Sequence, residues 1–463
     1  MKRTIKTVVS CLVIAAMTAS MLWVLTKLTE RKGSYSRLSP FYEQEADFDV
    51  LWMGSSHPLT GVFPMELWQD YGMVSYNLGG YANSLPTTYW MLQVALEHTS
   101  PRLVVIDCLR LSVESTVYTS PEVVHRLFDS IPFSLTKIRA VWDLFPSIKT
   151  QLGFLWNFSL YHDRWQELGF EDFVPPVLLE KGAKTEFAVA VPKQTKPIDP
   201  SDMLEGETTG VRYLRKMIED CQARGIQVLL TYMPFPADTL YQREANRVTE
   251  LAEEYGVAYL NFLTMDIVDY DTDCYDADSH LNSSGAQKVT AYLGRYITEN
   301  YDIPDRRDDP AYADWYEDYE AYTGFKLENL ASQKDLKIHL MLLADEHLSY
   351  CLYRTDNALW QENSIYDKLL ANAGVDTGAL SGGMLAVVDN GNGAVTYLAE
   401  GESVDASFGA VSFVRGEDGL HVLIDGEEAL APGTADIETV AVSSVGGQRA
   451  SARFSLASAV NKK

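Results

Sequence analysis

The chain has 463 residues, too many for one ordinary domain, and its 46% hydrophobic and 22% charged content is that of a folded protein with a sizeable core. A formal charge of -26 argues against nucleic acid as a partner, because a phosphate backbone is bound by clustered Lys and Arg. It argues equally against adsorption of the folded part to an anionic membrane.

From the N-terminus, Lys2, Arg3 and Lys6 precede the run Val8–Leu25, which carries no charge and only Ser and Thr as polar residues. As a helix this run is roughly 27 Å long at 1.5 Å per residue, close to the hydrocarbon thickness of a bilayer. Residues 7–26 therefore read as a transmembrane signal anchor. A cleaved signal peptide is the competing reading, but its apolar core is shorter and ends in an A-x-A-like site, which does not sit cleanly after Leu25. Positive charge flanks both ends and specifies orientation weakly.

Residues 33–47 read as a linker. Short apolar runs follow at Phe48–Met53, Met73–Leu78, Leu103–Ile106, Ile226–Tyr232 and Val257–Phe262. Helical spacing fills Gly210–Arg224 and Tyr241–Tyr255, each stopped by a glycine. Continuously apolar strands alternating with helices predict a parallel sheet covered on both faces. Residues 115–205, rich in aromatics and prolines, interrupt this rhythm as an insertion, mostly helical at first. Within it, Tyr161-His162-Asp163-Arg164-Trp165 offers His162 and Arg164 as substrate contacts on a lid, against the plainer reading of a helix whose Trp packs and whose Arg makes a salt bridge.

After the helix Ser283–Tyr301 the character changes. Residues 303–334 form an acidic, aromatic linker or exposed helix. Residues 335–460 read as mostly β, with strands at Leu336–Ala344, Leu385–Asp389, Ala394–Leu398, Ala410–Val414, His421–Ile424 and Thr439–Val442. Asn390-Gly391, Asn392-Gly393 and Asp425-Gly426 signal hairpin turns between them. Five cysteines without a CxxC or zinc spacing are expected mostly as small buried hydrophobes, with one disulfide left open.

Three segments carry chemistry. The strand ending in Gly54-Ser55-Ser56-His57 places a hydroxyl on a tight turn, where the next helix offers backbone N–H groups to an oxyanion. Ser is inert at neutral pH without a base, and Asp276-Ala-Asp278-Ser279-His280 supplies an imidazole with a carboxylate to orient it. Asn77-Leu78-Gly79-Gly80-Tyr81-Ala82-Asn83 follows the second strand, where small residues let a backbone N–H approach an oxyanion. His57 is expected to point away from the site.

In this order, over residues of about 46–114 and 205–300, the three pieces resemble the SGNH (GDSL-like) hydrolase superfamily. The resemblance implies a three-layer, flavodoxin-like α/β domain over 46–302; the 115–205 insertion and the mostly-β accessory domain read over 335–460 lie outside it. It makes Ser56 the nucleophile, His280 the base and Asp278 its orienter. The N–H groups of Ser56 and Ala82 would bind the oxyanion, and Gly79 and Gly80 would shape that loop. The Asp-x-His spacing and the anchor resemble the cell-surface branch, which includes alginate O-acetylation and D-alanyl-lipoteichoic-acid proteins. That branch works beside membrane-bound O-acyltransferases. One departure stands out: where the family has a Gly-x-Asn-Asp block, this chain has Asp107-Cys108-Leu109-Arg110-Leu111-Ser112. Losing an oxyanion donor costs about 3 kcal/mol; either Arg110 or Asn83 substitutes for it, or the enzyme is slow or needs a dedicated acyl donor. The function implied is an extracytoplasmic serine O-acyltransferase or esterase, acting on acyl (foremost acetyl) esters of an envelope polysaccharide or teichoic-type polymer, with no metal or organic cofactor. The alternative is a non-catalytic envelope scaffold that holds a glycan or a membrane acyltransferase.

Overall fold

The computed structural model describes residues 2–277, 280–360 and 364–457. Five parallel strands, β1 (Val50–Met53), β2 (Ser75–Asn77), β3 (Leu103–Asp107), β4 (Gln227–Tyr232) and β5 (Ala258–Asn261), form one sheet in the order β2-β1-β3-β4-β5. Helices cover both faces, which is why the strands are apolar without alternation. Leu51, Met53, Val104 and Ile106 pack with the helices Leu85–Ala95 and Thr209–Ala223 on one side. Val50, Trp52, Leu103 and Val105 pack with Ser283–Asn300 on the other. The chain leaves β1 for β2 on one flank and returns to β3 on the other, so the carboxyl ends of β1 and β3 flank the topological switch point, where open α/β sheets bind ligands.

The 33–47 segment is more than a linker. Its helix Ser39–Glu43 buries Phe41 against Phe48 and Tyr76, and buried Arg37 donates to the carbonyls of Asn77, Gly79 and Gly182. The insertion folds as the helices Pro121–Phe128, Leu135–Leu144 and Ile148–Leu155, then shorter helical pieces to Phe173. From 174 to 208 it runs as a strap without regular structure. Backbone bonds tie the strap across the carboxyl end of the sheet: Asn77 N–H donates to Lys181 (2.9 Å), Lys184 N–H to Leu59 (2.9 Å), Ala190 N–H to Cys274 (2.9 Å) and Ser283 N–H to Glu186 (3.1 Å).

Downstream, the 303–334 segment holds the helix Asp314–Ser332, which buries Trp315, Tyr319, Tyr322, Lys326 and Leu330 and is neither linker nor exposed. The Leu336–Ala344 run is a helix, Leu336–Leu342, and not a strand; Asp335 caps it by accepting from Lys337 N–H, and both its ends are fixed before the first strand begins. That strand, β6 (Leu348–Arg354), joins β7 (Met384–Asp389), β8 (Ala394–Leu398), β13 (Ile437–Ser443) and β14 (Arg449–Phe454) in an antiparallel sheet of order β14-β13-β6-β7-β8. A second antiparallel sheet, β12-β11-β10-β9, covers one of its faces; its strands are β9 (Ser403–Ala406), β10 (Gly409–Gly416), β11 (Gly419–Ile424) and β12 (Glu427–Gly433). Cys351 and Tyr353 of β6 face that sheet, while Tyr350 and Leu352 face the helices Leu336–Leu342 and Ser364–Asn372. All five cysteines are free, and those after the N-terminal helix are buried.

Candidate active site

β1 ends in a turn that only glycine fits. Gly54 has φ +145, and a Cβ there would lie 2.8 Å from Asp107 Cβ and 2.9 Å from Pro58 Cγ. The sharp turn lifts Ser56 to the first residue of the helix Ser56–Gly61, with Ser55 as its N-cap. Beneath the turn, Asp107 at the end of β3 accepts from Met233 N–H (3.1 Å) and from the Ser55 hydroxyl (3.5 Å). Burial pushes the Asp107 carboxyl up to about 7, against those hydrogen bonds.

Ser56 Oγ lies 2.7 Å from Nε2 of His280, and Nδ1 of His280 lies 2.6 Å from Oδ2 of Asp276. The second carboxylate oxygen of Asp276 accepts from the backbone N–H of His280 at 3.1 Å, so one Asp fixes the residue at ring and main chain together. Local closure makes this possible: Tyr275 N–H donates to His280 O (3.0 Å), and Cys274 bridges Leu281. Asn282 then locks the loop, because its Nδ2 donates to Thr272 O and Cys274 O while its Oδ1 caps the helix Ser283–Asn300 at Gly285. The carboxylate on the far ring nitrogen thus sits four residues before the histidine rather than two, and Asp278 lies outside the described residues. Tyr275 stacks on the imidazole (centroids 5.4 Å, 24°) and His57 meets its edge (5.2 Å, 76°). His57 therefore faces His280 instead of turning away. Burial, then the neighbouring His280 and Arg110, hold its pKa well below the usual histidine value, so it is neutral. Its place directly after Ser56 was the available signal.

On the oxyanion side, the glycine N–H groups are already engaged: Gly79 donates to Asn77 Oδ1 (3.0 Å) and Gly80 to Gly54 O (3.2 Å). They brace the loop and do not face a substrate. Asn83 is buried, and its amide donates to Gly54 O (3.2 Å), holding the turn that bears Ser56 from the other side. Ala82 takes φ +50, the left-handed conformation that reverses the loop beside the turn. The backbone N–H groups of Ser56 and Ala82 meet no acceptor among the described residues. Arg110, at φ +72, replaces the expected Asn block with a tight turn whose N–H groups at 110 and 112 donate to buried Glu244 (2.9 and 3.0 Å). Its guanidinium stacks on Tyr118 at 3.7 Å, with Nε and Nη1 unpartnered.

His162 and Arg164 do not join the site. His162 is exposed, and Arg164 donates to the carbonyls of Thr29 (2.6 Å) and Glu30 (2.9 Å) and to Asp172 (3.0 Å). A guanidinium belongs there because the carbonyl end of a helix carries partial negative charge. Among the described residues, Glu66, Asp345 and His347 bring metal-type donor atoms together, but Lys326 Nζ already sits 2.8 Å from both carboxylates as their cation.

No protein-family model matches this chain, and no curated protein matches its sequence. Among solved structures, a Bacteroides fragilis protein named "putative acylhydrolase" is similar at 11% identity and a TM-score of 0.31, over 58% of this chain and 99% of that one. A Desulfitobacterium hafniense "putative lipolytic protein of G-D-S-L family" is similar at 13% identity and a TM-score of 0.28, over 53% and 97%. Both span almost the whole of their own chains and little more than half of this one.

Proposed function

We propose that this chain is a serine acyl-ester hydrolase or O-acyltransferase of SGNH type, held to a membrane by its N-terminal helix and acting outside the cytoplasm on acylated envelope polysaccharide. The observation that carries the reading is the relay from Ser56 Oγ to His280 Nε2 (2.7 Å) and from His280 Nδ1 to Asp276 (2.6 Å). That order of groups activates a hydroxyl, fixes the imidazole tautomer and supports the imidazolium that forms. The sequence resemblance supports the same assignment.

His280 Nε2 takes the Ser56 proton as Oγ bonds to the ester carbonyl carbon. The carbonyl oxygen becomes an oxyanion, within reach of the N–H groups of Ser56 and Ala82. When the acyl–oxygen bond breaks, the leaving alkoxide takes the proton from His280. Water, or a sugar hydroxyl of the acceptor polymer, then gives its proton to His280 and attacks the acyl-serine. The second acyl–oxygen bond breaks, and Oγ recovers its proton. A membrane-bound O-acyltransferase is the proposed source of acyl groups where the acceptor is a glycan.

A fluorophosphonate probe tests the reading on the full-length protein in detergent. Labelling is expected of the native chain and lost in Ser56→Ala and His280→Ala. Labelling that persists in Ser56→Ala, or none in a native chain of unchanged circular dichroism, overturns it.

A further inference from the structure

The N-terminal helix is apolar over Ile5–Thr29; an 18-residue stretch within it, of mean hydropathy 2.3, has none of its residues buried. Outside this helix, the large apolar side chains exposed among the described residues concentrate between Tyr118 and Val191; elsewhere only Leu240, Tyr316, Leu359, Val395 and Val414 are so exposed. The helix Ile148–Leu155 shows how the insertion is turned. Gln151 is buried and donates to Phe145 O at 2.6 Å, while Ile148, Leu152 and the following Trp156 stand 71%, 54% and 52% exposed. Spaced four apart, these three form one stripe, and it faces outward. Phe170 and Phe173, on the short helix Phe170–Phe173, are 78% and 65% exposed. This apolar surface is joined to the end of the N-terminal helix. Arg164 holds the last carbonyls of that helix. A cleft of about 950 Å³ is shared by Trp23 and Lys27 of the helix with Phe133, Trp156 and Val177 of the insertion.

We propose that the insertion is a membrane-interface layer, in which Phe133, Trp156, Phe170 and Phe173 enter the headgroup–acyl boundary of the bilayer crossed by the N-terminal helix. Continuity with the end of an apolar span selects lipid as the occupant, since a surface joined there meets the bilayer boundary. The Trp and Phe content suits that boundary, where aromatic side chains concentrate. The overall charge of -26 leaves apolar contact, not attraction to anionic headgroups, as the driving force. The proposal rests on the anchor reading of the N-terminal helix, and the test separates the two.

The full chain is placed in nanodiscs of phosphatidylcholine, with and without nitroxide-labelled phospholipid. A fluorophore is attached at exposed Cys11, or, in a Cys11→Ser background, at Phe170→Cys, Phe173→Cys or, as control, Val414→Cys on the far β-sheet; the remaining cysteines are buried. Nitroxide lipid is expected to quench the labels at 11, 170 and 173 and to leave the label at 414 bright. Quenching at 11 with none at 170 or 173 overturns the interface layer and leaves the anchor standing. Absence of quenching at 11 as well overturns both. A blue-shifted label at 170 or 173 that ignores nitroxide lipid assigns the surface to protein, a second copy or a partner, and also overturns the proposal.

Discussion

At the residue scale, the choice between two aspartates decides what holds the imidazole. Asp276 and Asp278 both precede His280 in a loop, and alternation on an open loop would favour the nearer one. The loop closes through Tyr275 N–H to His280 O, and that closure brings position 276 onto Nδ1. Nothing in local spacing announces such a bond, so the approach of Ser56 to His280 could be anticipated from the sequence while the contact of Asp276 with Nδ1 could not. Asp276→Asn is expected to lower the rate of fluorophosphonate labelling, and of ester turnover, by roughly 10³–10⁴-fold through the wrong tautomer. Asp278→Asn is its control; an equal or larger loss there in stopped-time labelling would take the role away from Asp276. Asp107 invites a second substitution. Its folded pKa of about 7 lies above the ordinary 3.8, so the protonated form suits the fold. The stability it contributes is complete below about 4 and is lost as pH rises through 7. Asp107→Asn keeps an acceptor for Met233 N–H and removes the ionisation. The variant is expected to be the more stable above pH 7, by on the order of 3 kcal/mol, and to match the native chain near pH 4, as read by denaturant unfolding at the two pH values.

At the element scale, the parallel sheet was legible because strands buried on both faces are mostly apolar: β1, β2, β4 and β5 fall inside their apolar runs, and β3 passes its run by one residue, Asp107. The Leu336–Leu342 helix was misread because a short apolar run carries no period of its own, and the Asp335 cap that marks its start is a single residue. β6 was missed for a related reason: in His347-Leu-Ser-Tyr-Cys-Leu-Tyr-Arg354 its two faces meet different cores, so no alternation shows. The helix Ser283–Asn300 shows how an element can carry a site. Its N-cap, Asn282, accepts from Gly285 N–H (3.1 Å) and donates to Thr272 O (2.8 Å), Cys274 O (3.3 Å) and the strap at Ala188 O (3.1 Å). Asn282→Ala removes the cap and takes the amide donor from the carbonyls of Thr272 and Ala188, while Cys274 O keeps the Ala190 N–H. A cost of about 2–4 kcal/mol in chemical denaturation is expected, together with slower labelling of Ser56, because the loop bearing His280 hangs from that residue. A stability loss with an unchanged labelling rate would show that the loop holds its shape without the cap.

Across the whole molecule, the α/β part and the C-terminal sheets are joined through buried charge. Glu66 lies on the helix Pro64–Tyr71, Lys326 on Asp314–Ser332, and Asp345 and His347 immediately before β6. Lys326 Nζ is 2.8 Å from Glu66 and 2.8 Å from Asp345, and His347 lies 2.8 Å from Glu66 and 2.9 Å from Asp70. Burial alone would raise the Glu66 pKa, but Lys326 and His347 hold it down to about 2, and Asp345 is lowered by the same pair. A depressed carboxylate contributes stability that is complete above its unfolded value, 4.5 for Glu66, and is lost as pH falls toward 2. Burial works against the charged His347 too, yet its carboxylate neighbours raise its pKa well above 6.5. That contribution is complete below 6.5 and fades as pH climbs through the raised value. The junction is therefore firmest between about pH 4.5 and 6.5. Removing the central cation exposes the arrangement: Lys326→Met leaves His347 alone against two buried carboxylates and is expected to cost about 3–5 kcal/mol at pH 6. The penalty should shrink toward pH 3, where both carboxylates can take protons, so unfolding curves of native and variant chains should converge in acid. Parallel curves, with the same gap at pH 3 and pH 6, would show that Lys326 contributes through the packing of its stem and not through its charge.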